Sequence, residues 1–135
     1  MRNGELGMRN ENMGQRNIIE IKAEDFALRI VKLYQFLTES APKKEFVLSK
    51  QLLRSGTSIG ANIAEAECGV SQDDFRAKMY ISFKECTESL YWIRLLYKSG
   101  YINEDAYNSL TDDCNELHKM LSSITKSVSE RRMRN

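Results

Sequence analysis

The sequence predicts an all-α protein, an antiparallel up-down-up-down four-helix bundle. Apolar residues recur at three- and four-residue spacing in four segments, short polar stretches join those segments, and the 135 residues hold a single proline. No segment shows the alternating apolar pattern of a strand. A chain of this length is one domain, large enough to bury a core without cross-links. The expected organisation is a disordered leader over residues 1–17, a bundle over 18–130 and a basic tail, "RRMRN", over 131–135.

The first helix is expected from about Glu24 to Ser40, with Phe26, Ile30, Leu33 and Leu37 on one face and Pro42 ending it. The second runs from about Phe46 to Glu67 on Leu48, Leu52, Ile59 and Ile63, with Gly69 as its stop. Ser71, followed by Asp74, caps a third helix that ends near Ser99 before Gly100. Its core stripe reads Phe75, Met79, Phe83, Cys86, Leu90, Ile93 and Tyr97. Asn103 caps the fourth, whose Leu110, Cys114, Leu117, Leu121, Ile124 and Val128 alternate spacings of four and three, a bundle seam.

The second helix is intrinsically poor. "RSGTSIGANIAEA", from residue 54, places two glycines, two serines, a threonine and an asparagine where the apolar spacing demands a helix. It is no phosphate loop: Gly56 and Gly60 lie four apart with no lysine after them, and no strand precedes them. Wound as a helix, Gly56, Gly60 and Ala64 make a ridge of small residues suited to close packing, expected against the third helix. That contact must offset about 0.5–1 kcal/mol for each mid-helix glycine. On the other face stand Arg54, Ser58, Ala61 and Glu65. Short side chains there suit a second surface pressed against this one.

The third helix also carries apolar residues off its core stripe. "LYWIRLLY", from residue 90, is apolar nearly all round, and Ile81, Tyr91, Trp92 and Leu95 lie away from the bundle seam. A helix of this kind needs a partner beyond its own bundle, and a second copy of the chain is the economical one.

"QLLRSGTSIGANIAEAECGVSQDDFRAKMYISFKECTESLYWIRLL", residues 51–96, closely resembles the signature of the four-helix bundle proteins encoded in intervening sequences of bacterial large-subunit ribosomal RNA genes. The resemblance is dense over the second and third helices and elsewhere extends to helix pattern only. It implies a small bundle that assembles as a ring, typically a homopentamer. It also implies kinship with accessory proteins of diversity-generating retroelements, which pair with a reverse transcriptase and bind nucleic acid. Arg54, Ser55, Ser58, Asn62, Glu65, Lys84 and Glu85 match the family's polar string. Those retroelement relatives are strongly basic, whereas this chain has a formal net charge of +1.

The charge that is present clusters by end of the bundle. Lys43, Lys44 and Lys50 cap one end with Arg54 a turn further in, and they are the candidate contacts to RNA or DNA. A ring would repeat that cluster and give a near-neutral chain a basic rim. Glu65, Glu67, Asp73 and Asp74 lie at the other end, where Arg131, Arg132 and Arg134 also arrive.

Nothing points to catalysis, a metal or a cofactor. His118, the only histidine, flanks the fourth-helix seam as a boundary residue. The carboxylate pairs are helix-end charges, and Asp73 and Asp74 in a first turn favour the helix dipole. Three scattered cysteines (Cys68, Cys86 and Cys114) make neither a disulfide framework nor a zinc set, and the latter two read as small core hydrophobes. With no apolar run long enough to span a bilayer and no apolar signal-like N-terminus, a cytoplasmic location is expected. The function expected is that of a non-enzymatic, self-assembling interaction scaffold. The alternative is a nucleic-acid-binding accessory factor for ribosomal RNA or a reverse transcriptase.

Overall fold

The computed structural model describes the backbone of residues 11–134 and the side chains of residues 18–126. Among them, four α-helices carry the fold: α1 (Glu11–Gln35), α2 (Leu48–Glu67), α3 (Gln72–Lys98) and α4 (Glu104–Arg134). A π-helical turn, Phe36–Ser40, finishes α1. Each helix packs on the next and α4 closes back on α1. Short connections make consecutive helices antiparallel, so the bundle is the up-down-up-down one that the spacing predicts.

α1 starts at Glu11, inside the segment read as a leader; residues 1–10 lie outside the described residues, as do the side chains of the basic tail. The earlier start adds Ile19 and Ala23 to the core, two turns and one turn before Phe26. At the far end the Ala41 N–H reaches the Phe36 carbonyl at 2.8 Å, the wider π-type closure. Pro42 then holds Ala41 in extended backbone.

α2 begins at Leu48 rather than Phe46, and its first residues have no side-chain cap from Val47. The capping group is Glu45. Its carboxylate accepts from the N–H groups of Val47, Leu48 and Ser49 at 3.0, 2.9 and 2.6 Å, and the Ser49 hydroxyl donates to the Glu45 carbonyl at 2.8 Å. Glu45 is only 7% exposed. Burial pushes its carboxyl up, but the donors of Leu48, Ser49 and Val47 outweigh burial and hold it below the usual range.

The other caps follow the sequence reading. The Ser71 hydroxyl accepts from the Asp74 N–H at 3.1 Å, and the Asn103 side chain from the Ala106 N–H at 2.8 Å. α3 ends on Gly100, whose φ of +84° belongs to the left-handed region; the Tyr101 N–H closes on the Leu96 carbonyl at 2.9 Å. Gly69 is not left-handed: a Cβ there would meet the Ala66 carbonyl oxygen at 3.2 Å, so close approach is what requires glycine.

The core is built from Ile19, Phe26, Ile30 and Leu37 of α1 and its π turn, Leu52, Ile59 and Ile63 of α2, Met79, Ile93 and Leu96 of α3, and Leu117 and Leu121 of α4. The buried stripe of α3 differs from the expected one. Ser82, Ser89 and Leu96 are buried, while Phe75, Phe83, Leu90 and Tyr97 are half-buried at its edge. Cys86 and Cys114 are buried free thiols with sulfurs 3.6 Å apart across α3 and α4. The adjoining Cys86 sulfur and burial push the Cys114 thiol up, which keeps it protonated and inert.

Candidate functional site

The glycines of α2 face α1, not α3. A Cβ at Gly56 would meet Ile30 Cγ1 at 3.0 Å, and one at Gly60 would meet the Ala23 Cβ at 3.5 Å. The ridge stops there, because Ala64 is exposed and Ala66 is the buried alanine of the last turn. The expected packing of Gly56, Gly60 and Ala64 on the third helix is thus corrected in direction and in length. The first two bring α1 close, and the third takes no part.

That arrangement leaves the opposite edge of α2 for α3, and there the polar string assembles. Arg54 reaches Glu85 at 3.0 Å and also pairs with Glu88, which accepts the Trp92 indole N–H at 2.9 Å. Beneath this clamp the Ser55 and Ser89 hydroxyls meet at 2.8 Å, both buried. The Ser82 hydroxyl donates to the Ile59 carbonyl at 2.8 Å, and Lys78 closes the lower end on Glu65 at 2.8 Å. Small hydroxyls let the two backbones approach while each buried polar atom keeps a partner.

The surface that Arg54 and Glu65 meet is therefore α3 of the same chain. Ser58 and Asn62 turn back on their own helix, to the carbonyls of Arg54 at 2.7 Å and Ser58 at 2.8 Å. Lys84 lies 5.7 Å from the Tyr80 ring centre. The string thus divides: Arg54, Ser55, Glu65 and Glu85 join two helices, and Ser58, Asn62 and Lys84 do not. Glu88, Ser82 and Ser89, which the sequence reading does not single out, complete the seam, and Trp92, expected at an outer interface, joins it through its indole N–H. A polar line Glu85, Glu88, Ser89, Trp92 at helical spacing is the signal that marks them.

The basic candidates share one end, but Arg54 does not belong with them. It pairs with two carboxylates of α3. Lys43 stands 4.6 Å from the Tyr101 ring centre and Lys44 donates to the Ala41 carbonyl at 3.3 Å. Lys50 is exposed.

Of the expected interface residues on α3, Ile81 and Tyr91 are 39% and 47% exposed. Leu95 is half-buried, and Trp92 packs partly against its own core. A second apolar line, missed in the sequence, runs down the outer side of α1 through Ile21 and Leu28, 61% and 53% exposed. His118 is the boundary residue expected, with Nε2 3.0 Å from the Thr87 hydroxyl and its ring 4.6 Å from that of Phe83. Among the described residues no helix is long and apolar enough to cross a membrane, and no three His, Cys, Asp or Glu side chains gather as metal ligands.

An antiparallel bundle with a polar α2–α3 seam and apolar side chains left on its outer faces defines a class of small helical protein. The chain belongs to the 23S rRNA-intervening sequence protein family, whose model matches residues 15–123. It is also similar to a protein of unknown function from the S23 ribosomal protein family of Bacteroides thetaiotaomicron. The two are 47% identical with a TM-score of 0.79, over 83% of this chain and 98% of that one. No curated protein matches.

Proposed function

We propose that the protein is a non-enzymatic, cytoplasmic interaction scaffold that assembles with copies of itself, as a pentameric ring in keeping with its family resemblance. The observation that carries this is the apolar surface left outside the core, Ile81 and Tyr91 on α3 with Ile21 and Leu28 on α1. Repeated apolar side chains on two outer faces suit a ring, in which each copy presents one face to the neighbour on either side. No cofactor enters this reading. In sedimentation velocity at micromolar concentration the wild type is expected as a multimer. Ile81→Glu/Tyr91→Glu is expected to run as a 15.6 kDa monomer with unchanged helicity. A monomeric wild type overturns the proposal.

The second reading, an accessory factor that binds ribosomal RNA or DNA or serves a reverse transcriptase, draws on Lys43, Lys44 and Lys50 at one end of the bundle. A ring would repeat them as a rim. A gel shift at low salt that is lost in Lys43→Glu/Lys44→Glu/Lys50→Glu would favour it, and no shift at low salt rejects it.

A further inference from the structure

An open cleft of about 470 Å³ lies between α3 and α4, within the range of small-molecule sites. Arg76, Tyr80 and Phe83 line it from one helix and Ser122, Thr125 and Lys126 from the other. The six side chains sort by chemistry. Two cations and two hydroxyls face a wall of two aromatic rings, with no carboxylate among the described lining residues. The rings of Tyr80 and Phe83 stand 6.2 Å apart at 21°, close to a common orientation. His118 stacks on Phe83 and ties the wall to α4.

Arg76 is half-buried, and its Nε is enclosed by the protein, so an anion in the cleft would meet the terminal guanidinium nitrogens rather than Nε. Lys126 adds a second positive charge from α4. Arginine suits phosphate in particular, since its planar fork donates two parallel N–H groups.

We propose that this cleft binds one free nucleoside monophosphate, with the phosphate between Arg76 and Lys126 and the base against the Tyr80–Phe83 wall. Cations and hydroxyls alone would take any small oxyanion; the aromatic wall adds a flat ring to the requirement. From Arg76 to Phe83 the helix rises about 10 Å, room for a single nucleotide rather than a stacked strand. The site is separate from the lysine cluster, while Tyr80 shares its face of α3 with Tyr91, one of the residues proposed for assembly.

Isothermal titration of the full chain tests this with adenosine monophosphate, inorganic phosphate, adenosine and a 5′-phosphorylated RNA trinucleotide. Adenosine monophosphate is expected to bind with a submillimolar Kd, and phosphate or adenosine alone at least tenfold more weakly. Arg76→Met and Lys126→Met, each with wild-type helicity by circular dichroism, are expected to weaken it at least tenfold, while Lys50→Met leaves it unchanged. Absence of binding at millimolar adenosine monophosphate overturns the proposal, as does equal binding by Arg76→Met. Phosphate binding as tightly as the nucleotide removes the role of the aromatic wall and overturns the ligand class. Tighter binding of the trinucleotide overturns the single-nucleotide reading.

Discussion

Replacing Glu45 by alanine tests how α2 begins. The substitution strips three backbone donors of a carboxylate that is 7% exposed, so water restores those bonds incompletely. Losing an ordinary cap costs about 1 kcal/mol, and hydrogen bonds to a charged, buried acceptor are stronger, so the expected loss is about 2–3 kcal/mol. For a domain of this size that lowers Tm by about 6–15 °C. Thermal denaturation followed at 222 nm supplies the number. Titration supplies a second, independent check. The folded carboxyl lies below its ordinary value of 4.5, so its stabilisation is complete above that pH and is lost as pH falls through the lowered folded value. Glu45→Gln should therefore flatten the fall in wild-type stability below pH 4.5. A loss under about 0.5 kcal/mol in the alanine variant, the range of ordinary surface changes, refutes the capping role. So does an acid limb that the glutamine variant leaves untouched.

Further outcomes follow from the helix contacts. Gly60→Ala has ordinary contact distance to Ala23 and should gain up to about 1 kcal/mol of helix propensity, whereas Gly56→Ala must displace Ile30 and should lose about 1–2 kcal/mol in urea denaturation. Gly60→Leu should disrupt folding, because the Ala23 backbone lies at 3.8 Å just beyond its Cβ. A double-mutant cycle of Ser55→Ala and Ser89→Ala should return a coupling of about 0.5–1.5 kcal/mol, and additive losses would mean that the 2.8 Å contact contributes nothing. Arg54→Met should cost only about 0.5–1 kcal/mol and less at high salt, since its side chain is 50% exposed.

Most of the bundle is legible in the sequence because apolar spacing reports directly on burial. Phe26, Ile30 and Leu37, or Leu110, Cys114, Leu117 and Leu121, are buried as their periods require. What escapes is what the period does not encode. Ile18 to Ile21 is apolar on two sides, so the start of α1 is not marked and Ile19 goes unrecognised as core. Ser55, Ser82 and Ser89 are buried through hydrogen bonds to groups on other turns or helices, which an apolar count does not register. Nor can a ridge of small residues name its neighbour. Gly56 and Gly60 sit at the edge of the α2 stripe, where helices on either side compete, and only the bundle geometry assigns them to α1. Arg54 illustrates the same limit: spacing puts it away from the core, and its pairing depends on which flank faces Glu85.

Native mass spectrometry of the wild-type chain across a micromolar dilution series tests the central claim, that the outer apolar faces of α1 and α3 drive self-assembly. The wild type is expected as a dominant species of five copies of the 15.6 kDa chain, replaced by monomer in Ile81→Glu/Tyr91→Glu. A wild type that appears only at 15.6 kDa, at every concentration, would contradict it.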